Sequence, residues 1–503
     1  MFIKLKSAAS SGLECIAVDI EIDLNKGQSN FHIVGLADAS IQEARSRVYS
    51  AIKNSGFDYP FNYRILINLA PASLHKAGAC YDLPMAVGII AAHNRMDFAL
   101  DSSLIIGELA LDGTTRGIKG ALPLALFAEQ NKLKKIYVPR ANADESAMAD
   151  GVQIYPIDDL RQIISHLTGK IKIDPHKRQS YGGYKEHNFE NDMALVKGHD
   201  FVKRALEIAA SGSHNILLCG PPGSGKTMMA RSLPSILPSL TRKESLEVTK
   251  IYSVAGLLEQ GYIDKRPFRS PHHTASGVSL VGGGKIPRPG EISLAHRGVL
   301  FLDEFAEFPR SVLENLRQPL EDGVITVCRA SASYMFPARF ILVASQNPCP
   351  CGYSSDLEKE CSCSPSQIAQ YQKKISGPML DRIDMHVEVP RLAFNKLTCD
   401  KVGESSADIR KRVEISREIQ TQRFKKNKIQ CNGEMGSREL IKYCALDSCS
   451  LDLLSSAADK MQLSARAYSR ILKLSRTIAD LEGNNNILLK HVAEALQYRI
   501  KNN

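Results

Sequence analysis

The sequence predicts an α/β multidomain protein with an N-terminal α+β domain, a central parallel sheet flanked by helices, and a C-terminal group of helices. Its 503 residues exceed what one hydrophobic core accommodates. A glycine-rich motif, GPPGSGKT, stands between an apolar run and a helical pattern, and the last part of the chain has apolar residues at helical spacing. The predicted units are residues 1–170, a linker at 171–191, residues 192–392 and residues 393–503.

The composition is that of a folded, water-soluble protein with a basic balance. The net charge of +10, from 64 basic and 54 acidic residues, favours an acidic partner such as DNA, but charge that only maintains solubility is the alternative. No apolar run approaches the roughly 20 residues of a membrane span, and the first residues lack a secretory signal's apolar segment. We therefore expect a cytoplasmic protein whose 12 cysteines are reduced thiols or metal ligands.

The N-terminal region alternates apolar strands with an amphipathic helix. Strands are predicted at Ile16–Ile22, Phe31–Val34 and Arg64–Leu69. The helical period predicts a helix at Ala39–Asn54. This mixture predicts the first domain as α/β or α+β. The polar, glycine-containing segment that follows is typical of a linker.

The motif GPPGSGKT has the spacing of a phosphate-binding loop. Asn215–Cys219 predicts a buried strand before it, and a helix is predicted from Lys226 until Pro234 disfavours it, which is the context the motif requires. The glycines let backbone N–H groups face an anion, and the helix N-terminus adds roughly half a positive charge. Lys226 is expected to reach the β- and γ-phosphates of ATP, and Thr227 to hold Mg²⁺ through its hydroxyl.

Two further apolar strands end in residues suited to ATP hydrolysis. The run Gly298–Phe305 contains Asp303, expected to hold Mg²⁺, and Glu304, expected to polarise the attacking water. Asn347 follows a predicted strand at Ile341–Ser345, where an amide can orient that water. The predicted nucleotide contacts are Gly220, Pro221, Pro222, Gly223, Ser224, Gly225, Lys226, Thr227, Met228 and Asp303.

Two excursions interrupt the central region. Pro271–His296 is glycine-rich and is predicted to contain no regular element, whereas Gly323–Phe340 alternates as a β-hairpin does. A long loop inside a compact domain is usually functional or disordered. These excursions carry three basic residues of interest, Lys285, Arg288 and Arg329.

Four cysteines lie close together in the sequence after Asn347. Cys349, Cys351, Cys361 and Cys363 form two Cys-x-Cys pairs. Four thiolates can close a tetrahedral site, and Zn²⁺ is the metal that prefers one. The cluster predicts a structural zinc, with four unliganded reduced thiols as the alternative.

The C-terminal region predicts a small bundle of helices. One apolar stripe combines Ile471, Leu474 and Ile478 at spacings of three or four residues. The predicted helices are Ala407–Arg423, Ser437–Cys444, Leu451–Met461, Ala465–Leu481 and Leu488–Arg499.

The stretches Phe31–Pro60 and Asn68–Ala92 resemble the Mg-chelatase-like ComM family of AAA+ ATPases, also called the YifB type, and the resemblance covers nearly the whole chain. It implies a Lon-protease-like (S5-type) α+β fold for the first domain, an AAA+ P-loop NTPase core and a helical lid. Cys80 aligns with the Lon serine and Leu122 with the Lon lysine. Because a serine or thiol nucleophile needs a base, we expect a non-catalytic domain, with a nucleophilic Cys80 as the alternative.

The same resemblance implies roles for the two excursions. They are similar to the helix-2 and pre-sensor-1 insertions of the AAA+ branch that includes Mg-chelatases and MCM helicases, which face the central pore. Lys285, Arg288 and Arg329 would then contact a DNA backbone. Solvated loop charge is the alternative for each of them.

Two arginines also take their expected roles from the resemblance. Gly377–Pro390 is similar to the arginine-finger segment, which implies that Arg382 reaches the γ-phosphate of a neighbouring subunit in a hexameric ring. In a lone monomer, Arg382 would be an ordinary surface ion pair. Leu463–Gly483 resembles the sensor-2 helix, which places Arg466 near a γ-phosphate, with Arg470 as the weaker candidate.

The resemblance implies an ATP-dependent ring motor that acts on single-stranded or branched DNA. It would be a helicase promoting branch migration in recombination during natural transformation. Two alternatives belong to other classes. One is a chelatase-type motor for metal insertion, since the AAA+ module is shared. The other is a protein-remodelling or protease-related machine, which the Lon-like domain suggests.

Overall fold

The computed structural model separates into two compact units. Unit 1 comprises Met1–Gly183 and Thr241–Asp264, and unit 2 comprises Tyr184–Leu240 and Lys265–Asn503. The structure describes residues 1–36, 38–73, 76, 78–98, 100–177, 189–259, 261–284, 287–328, 333–356, 358–391, 403–427 and 429–499. Within these residues, every helix is too short or too polar to cross a lipid bilayer.

Unit 1 contains a four-stranded sheet covered by helices. In β2 the buried side chains alternate, from Val18 through Ile20 and Ile22 to Leu24, because successive side chains point to opposite faces. The sheet order is β1-β2-β4-β3, and only the β3–β4 pair is parallel. Its elements are β1 (Phe2–Ser11), β2 (Glu14–Lys26), β3 (Asn30–Val34), α1 (Ala39–Asn54), β4 (Tyr63–Ala70) and α2 (Asp82–His93).

A parallel three-stranded sheet, β5-β8-β9, completes unit 1. The strands of this sheet are β5 (Ser103–Ile105), β8 (Lys135–Pro139) and β9 (Gln153–Ile157), and a separate short hairpin pairs β6 (Glu108–Leu109) with β7 (Thr115–Arg116). The remaining helices of unit 1 are α3 (Ala121–Gln130), α4 (Ala143–Ser146), α5 (Leu160–Leu167) and α8 (Arg242–Ala255). Thr241 and Glu244 form a capping box at the start of α8. Ser253 in its last turn accepts a hydrogen bond from the backbone of Gly120. The sequence-based division into domains stays a prediction. Its range 192–392 includes α8, which belongs to unit 1 in the structure.

Unit 2 is built on a five-stranded sheet in which every neighbouring pair is parallel. The order is β11-β14-β17-β10-β18. Its strands are β10 (Ile216–Cys219), β11 (Phe268–Arg269), β14 (Val299–Leu302), β17 (Ile341–Gln346) and β18 (Met385–Glu388). The residues that follow these strands therefore meet at one edge of the sheet. This arrangement confirms the predicted α/β fold with a central parallel sheet.

Helices and two hairpins surround this sheet. The helices are α6 (Asp200–Gly212), α7 (Lys226–Ile236), α9 (Gly277–Val281), α10 (Glu291–Leu294), α11 (Arg310–Glu314), α12 (Arg317–Asp322), α13 (Pro365–Gln372), α14 (Gly377–Leu380), α15 (Ser406–Arg423), α16 (Ser437–Tyr443), α17 (Ser448–Met461), α18 (Ala465–Leu481) and α19 (Leu489–Gln497). The hairpins pair β12 (Gly282–Gly283) with β13 (Arg288–Pro289) and β15 (Val324–Cys328) with β16 (Ser333–Pro337). The predicted C-terminal helices agree with the structure to within about three residues at each end.

Two local expectations were wrong. Pro234 does not end α7, which continues to Ile236. A proline near the C-terminus of a helix removes one of its last hydrogen bonds and leaves the preceding turns intact. The glycine-rich excursion Pro271–His296 contains α9, α10 and the hairpin β12/β13. Ser276 caps α9 through its hydroxyl, which favours this short helix.

A buried carboxylate connects the sheet of unit 2 with its C-terminal helices. Asp384, just before β18, is 4% exposed and pairs with Arg470 of α18. Its Oδ2 accepts a hydrogen bond of 2.8 Å from the backbone N–H of Asn215, and His214 Nδ1 lies 3.8 Å away. Burial by itself would raise the pKa of Asp384, but Arg470 and His214 overcome this and hold it well below its usual range.

We expect Asp384→Asn to destabilise unit 2 by about 3 kcal/mol, because Arg470 would lose its buried counter-ion. Thermal unfolding at neutral pH measures the loss. A carboxylate with a lowered pKa stabilises the fold fully above its unfolded pKa of about 4 and loses that contribution as the pH falls further. The difference between variant and wild type should therefore shrink below about pH 4.

Asp381→Asn is the matched control for this experiment. Asp381 lies in the same segment, and its hydrogen bond with a described residue is a long one of 3.4 Å, donated by Ser464. Its replacement should cost under about 1 kcal/mol. Equal effects of the two substitutions would contradict a special role of Asp384.

Candidate active site

The phosphate-binding loop connects β10 to α7 with the backbone conformation that the motif predicts. Gly223 and Gly225 have φ angles of +78° and +87°, which side chains disfavour. A Cβ on Gly220 would lie 2.2 Å from the carbonyl oxygen of Val389, so only glycine fits there. The Ser224 hydroxyl is buried and has no hydrogen-bond partner among the described residues. The loop therefore retains a donor for an anion.

Lys226 lies at the start of α7 with its ammonium group inside this loop. Its Nζ donates to the carbonyl oxygens of Gly220 and Pro221 at 2.7 and 2.9 Å. It also lies 3.3 Å from Oδ1 of Asn347. Burial lowers the pKa of Lys226, although the nearby Asp303 acts in the opposite direction. The structure thus brings together two residues that the sequence predicts as parts of one site.

Asp303 follows β14 and is held by two hydroxyl groups. Thr227 Oγ1 donates to Asp303 Oδ2 at 3.0 Å. Ser345 of β17 donates to the other carboxylate oxygen. A hydroxyl beside a carboxylate is the oxygen pair that Mg²⁺ binds in phosphate-transferring sites. Both predicted Mg²⁺ ligands therefore lie side by side. Met228, one of the predicted nucleotide contacts, is exposed.

Glu304 has an unusual backbone conformation and a histidine partner. Its φ angle is +53°, which is costly for a residue with a side chain and occurs mostly at functional positions. Glu304 Oε2 lies 3.3 Å from Nδ1 of His273. The ring centroid of His273 lies 4.1 Å from that of His272, and the two rings are tilted by 34°. No functional motif in the sequence includes His273, although the pair His272-His273 stands near the start of the excursion.

A cavity of about 870 Å³ lies beside the phosphate-binding loop. It extends from Cys219, the last residue of β10, along the segment 197–204 to Arg412 of α15. This segment was not predicted from the sequence, because its glycine, histidine and charged residues match no phosphate-binding pattern. His199 has a left-handed backbone conformation that turns the chain into α6.

The two predicted arginines lie together, and neither forms a hydrogen bond or ion pair with the described loop 220–227. Arg382 Nη2 and Arg466 Nη2 are 2.7 and 3.0 Å from the same oxygen, Oε1 of Glu321. Arg382 also donates to the carbonyl oxygen of Pro378 at 2.6 Å. Arg470, the weaker candidate, is instead the partner of the buried Asp384 described above.

The four predicted cysteine ligands converge. The Sγ atoms of Cys349, Cys351, Cys361 and Cys363 all lie within 4.8 Å of one another. Three of the Sγ–Sγ distances are 3.4, 3.5 and 3.7 Å. Zinc–sulfur bonds of about 2.3 Å in a tetrahedron require separations of about 3.8 Å. The cluster therefore fits a tetrahedral metal with little rearrangement.

The predicted DNA contacts are only partly described. Arg288 is exposed at the start of β13, in the short hairpin with β12. Lys285 and Arg329 lie outside the described residues. The hairpin β15/β16 is present as predicted, and its residue Met335 is exposed.

In unit 1, the surroundings of Cys80 do not suit a nucleophile. Burial raises the pKa of its thiol to about 12, so it is protonated at neutral pH. Leu122, which aligns with the Lon lysine, is a fully buried aliphatic residue of α3. These two observations support the prediction that this domain is not catalytic.

Three family models match the chain in succession. Residues 20–142 match "Subunit ChlI of Mg-chelatase", residues 192–397 match "Magnesium chelatase, subunit ChlI", and residues 403–499 match "Magnesium chelatase, subunit ChlI C-terminal". Together these models cover most of the chain, including the phosphate-binding loop.

Several known proteins are similar over nearly the full length. Competence protein ComM of Haemophilus influenzae is 44% identical over 500 residues, which cover 98% of this chain and 96% of that protein. The uncharacterized protein YifB of Escherichia coli is 41% identical over 495 residues, with coverage of 98% and 96%. An uncharacterized protein of Mycobacterium tuberculosis is 39% identical over 503 residues, with coverage of 98% and 97%. The chain therefore belongs to the Mg-chelatase-like AAA+ family that includes ComM and YifB.

Proposed function

We propose that this protein is a cytoplasmic ATP-dependent ring motor that acts on DNA, a helicase promoting branch migration in recombination during natural transformation. The observation that carries the ATPase part is the convergence of Lys226, Asp303 and Asn347 at one edge of the parallel sheet. The DNA part is supported by the similarity to competence protein ComM and by the exposed Arg288.

Each residue of the candidate site has a role in this proposal. Lys226 and the loop N–H groups bind the phosphates, and Thr227 with Asp303 would hold Mg²⁺, which when bound neutralises developing charge. Glu304 orients and deprotonates the attacking water, and Asn347 helps to hold it. We place the nucleoside in the 870 Å³ cavity, since it begins where the loop begins.

Arg382 and Arg466 act on a neighbouring subunit in this proposal. Within the described part of one chain they are paired with Glu321 and not with the phosphate-binding loop. Arginines that stabilise the γ-phosphate in phosphoryl transfer must reach it directly. A homohexameric ring, as the family resemblance implies, supplies a second subunit whose nucleotide they can reach.

A metal-inserting motor is the second candidate, because the matching family models are those of a magnesium chelatase subunit. It predicts ATP hydrolysis that responds to a porphyrin-binding partner and not to DNA. The protease alternative has less support, since the thiol of Cys80 is partly buried and its raised pKa keeps it protonated.

ATPase rates should distinguish the two candidates. We expect branched or single-stranded DNA to stimulate hydrolysis several-fold over the rate without nucleic acid. Arg288→Ala should weaken the binding of all DNA sequences equally, because one phosphate contact is lost. The slope of the logarithm of the binding constant against the logarithm of the salt concentration should become shallower by about one. Arg438→Ala, which removes an exposed charge on α16, is the control. If none of the DNA substrates changed the ATPase rate, the proposed DNA motor would be refuted, but the proposed ATPase activity would not.

Glu304→Gln should bind ATP and lose hydrolysis by at least about a hundredfold, because the amide cannot accept the proton of the attacking water. Lys226→Ala should lose ATP binding itself, since the phosphates lose their cation. Fluorescent-nucleotide binding and steady-state ATPase assays separate the two effects. Glu307→Gln, an exposed carboxylate three residues further on, is the control for Glu304. Wild-type turnover in Glu304→Gln would contradict its role.

We expect one zinc ion per chain in the cysteine cluster, because four thiolates at these distances match a closed tetrahedral site. Elemental analysis of the purified protein measures it. Cys351→Ser with Cys361→Ser should remove the metal, whereas Cys449→Ser, at an exposed thiol on α17, should retain it. A metal-free wild type purified without chelators would contradict the zinc site.

A further inference from the structure

Glu321 joins three separate elements at a single atom. It lies in the last turn of α12, and its Oε1 accepts from Arg382, between α14 and β18, and from Arg466, in the first turn of α18. Both arginines approach with a terminal nitrogen at 3.0 Å or less. We call these three residues the Glu321 cluster. Two guanidinium groups at this separation are therefore aimed at one anionic oxygen.

The carboxylate makes this convergence possible. Two cations that point at one spot repel each other, and the repulsion grows as water is excluded. Arg382 is only 7% exposed, so its charge depends on a nearby anion. The side chain of Arg466 is 56% exposed and would turn into solvent without Glu321. The pairing thus keeps an exposed arginine beside a buried one.

Arg382 retains an unused donor. Its Nη1 and Nη2 bind Pro378 and Glu321, but its Nε is buried and has no partner among the described residues. A buried N–H without an acceptor costs free energy, which an incoming phosphate oxygen would recover. The cluster is therefore suited to an additional anion besides Glu321.

The cluster is also connected to the second hairpin. Gly323 and β15 follow α12 directly, so Glu321 lies at the base of β15/β16. Arg317, on the same helix, donates to Ser376 at 3.2 Å, and Ser376 is the residue before α14. The helix that leads into the hairpin is thus joined to the Arg382 segment at two points, which lets a shift of the hairpin move the arginine.

We propose that Glu321 is a positioning residue that holds Arg382 and Arg466 together for the nucleotide of the neighbouring subunit and links them to the hairpin β15/β16. This rests on the proposed function, in which Arg382 completes the adjacent ATP site, and on the family resemblance, which implies that the excursion containing this hairpin faces DNA. Glu321 itself touches no nucleotide. It sets where the two guanidinium groups point.

Glu321→Gln tests the proposal, because the amide keeps the size of the side chain and removes its charge. We expect the DNA-stimulated kcat to fall about tenfold or more, since a misplaced arginine loses transition-state stabilisation, while KM for ATP changes little. Asp322→Asn, on the adjacent exposed carboxylate of α12, should keep wild-type kinetics. Wild-type kcat in Glu321→Gln would overturn the proposal.

Mixing subunits separates positioning from damage to the variant's own site. Glu304→Gln subunits do not hydrolyse ATP but carry intact arginines. Mixed with Glu321→Gln subunits, they should restore several-fold of the lost activity, because they complete the neighbour's site. If this mixture fails to recover while the Arg382→Ala reference mixture does recover, Glu321 acts within its own subunit and the proposal is overturned.

Arg382→Ala mixed with Glu304→Gln is the reference for this experiment. Restored activity in this mixture is expected from the proposed shared site and confirms that the assay detects donation between subunits. If this mixture recovers while Glu321→Gln alone has wild-type activity, only the role of Glu321 fails. If it does not recover, the shared site itself is refuted.

Discussion

The parallel register of three strands is the constraint on which the candidate site depends. Cys219 of β10 lies beside Gln346 of β17, so the phosphate-binding loop and Asn347 begin at the same level. β14 is aligned on the other side of β17, which brings Asp303 to the hydroxyl of Ser345. A shift of one residue in either pairing would turn these side chains to the opposite face of the sheet. Buried apolar strands prevent such a shift.

The local elements could largely be predicted from the sequence, because their determinants are close in the chain. Ala39–Asn54 and Ala465–Leu481 are observed with the bounds that their apolar periods predict. Asp38 and Ser464 cap them through their side chains. The phosphate-binding loop was predictable for the same reason. α8 was missed, because its apolar residues are few and its assignment to unit 1 comes from contacts distant in sequence.

The parts of the site that sequence reasoning did not reach depend on pairs distant in the chain. Glu321 stands out in no motif, and its contact with Arg466 exists only because α12 and the start of α18 meet in the fold. His273 likewise became a candidate site residue only because the structure places it 3.3 Å from Glu304. Family resemblance gave each arginine a role but not the carboxylate between them. Only the three-dimensional structure shows that both arginines pair with the same carboxylate, Glu321.

The cysteine cluster lies in the segment that follows Asn347 and borders the candidate nucleotide site. Cys349 follows Asn347 by two residues, so fixing its thiolate restrains the backbone that presents the amide. Gly352, in the same segment, has a φ of +87° and approaches so closely that a Cβ would lie 2.6 Å from the ring of Pro222. The segment thus packs on the phosphate-binding loop. A metal bound by the four thiolates would restrict the conformations of this segment. Because the segment also carries Asn347 and packs on the phosphate-binding loop, the positions of both would be restrained as well.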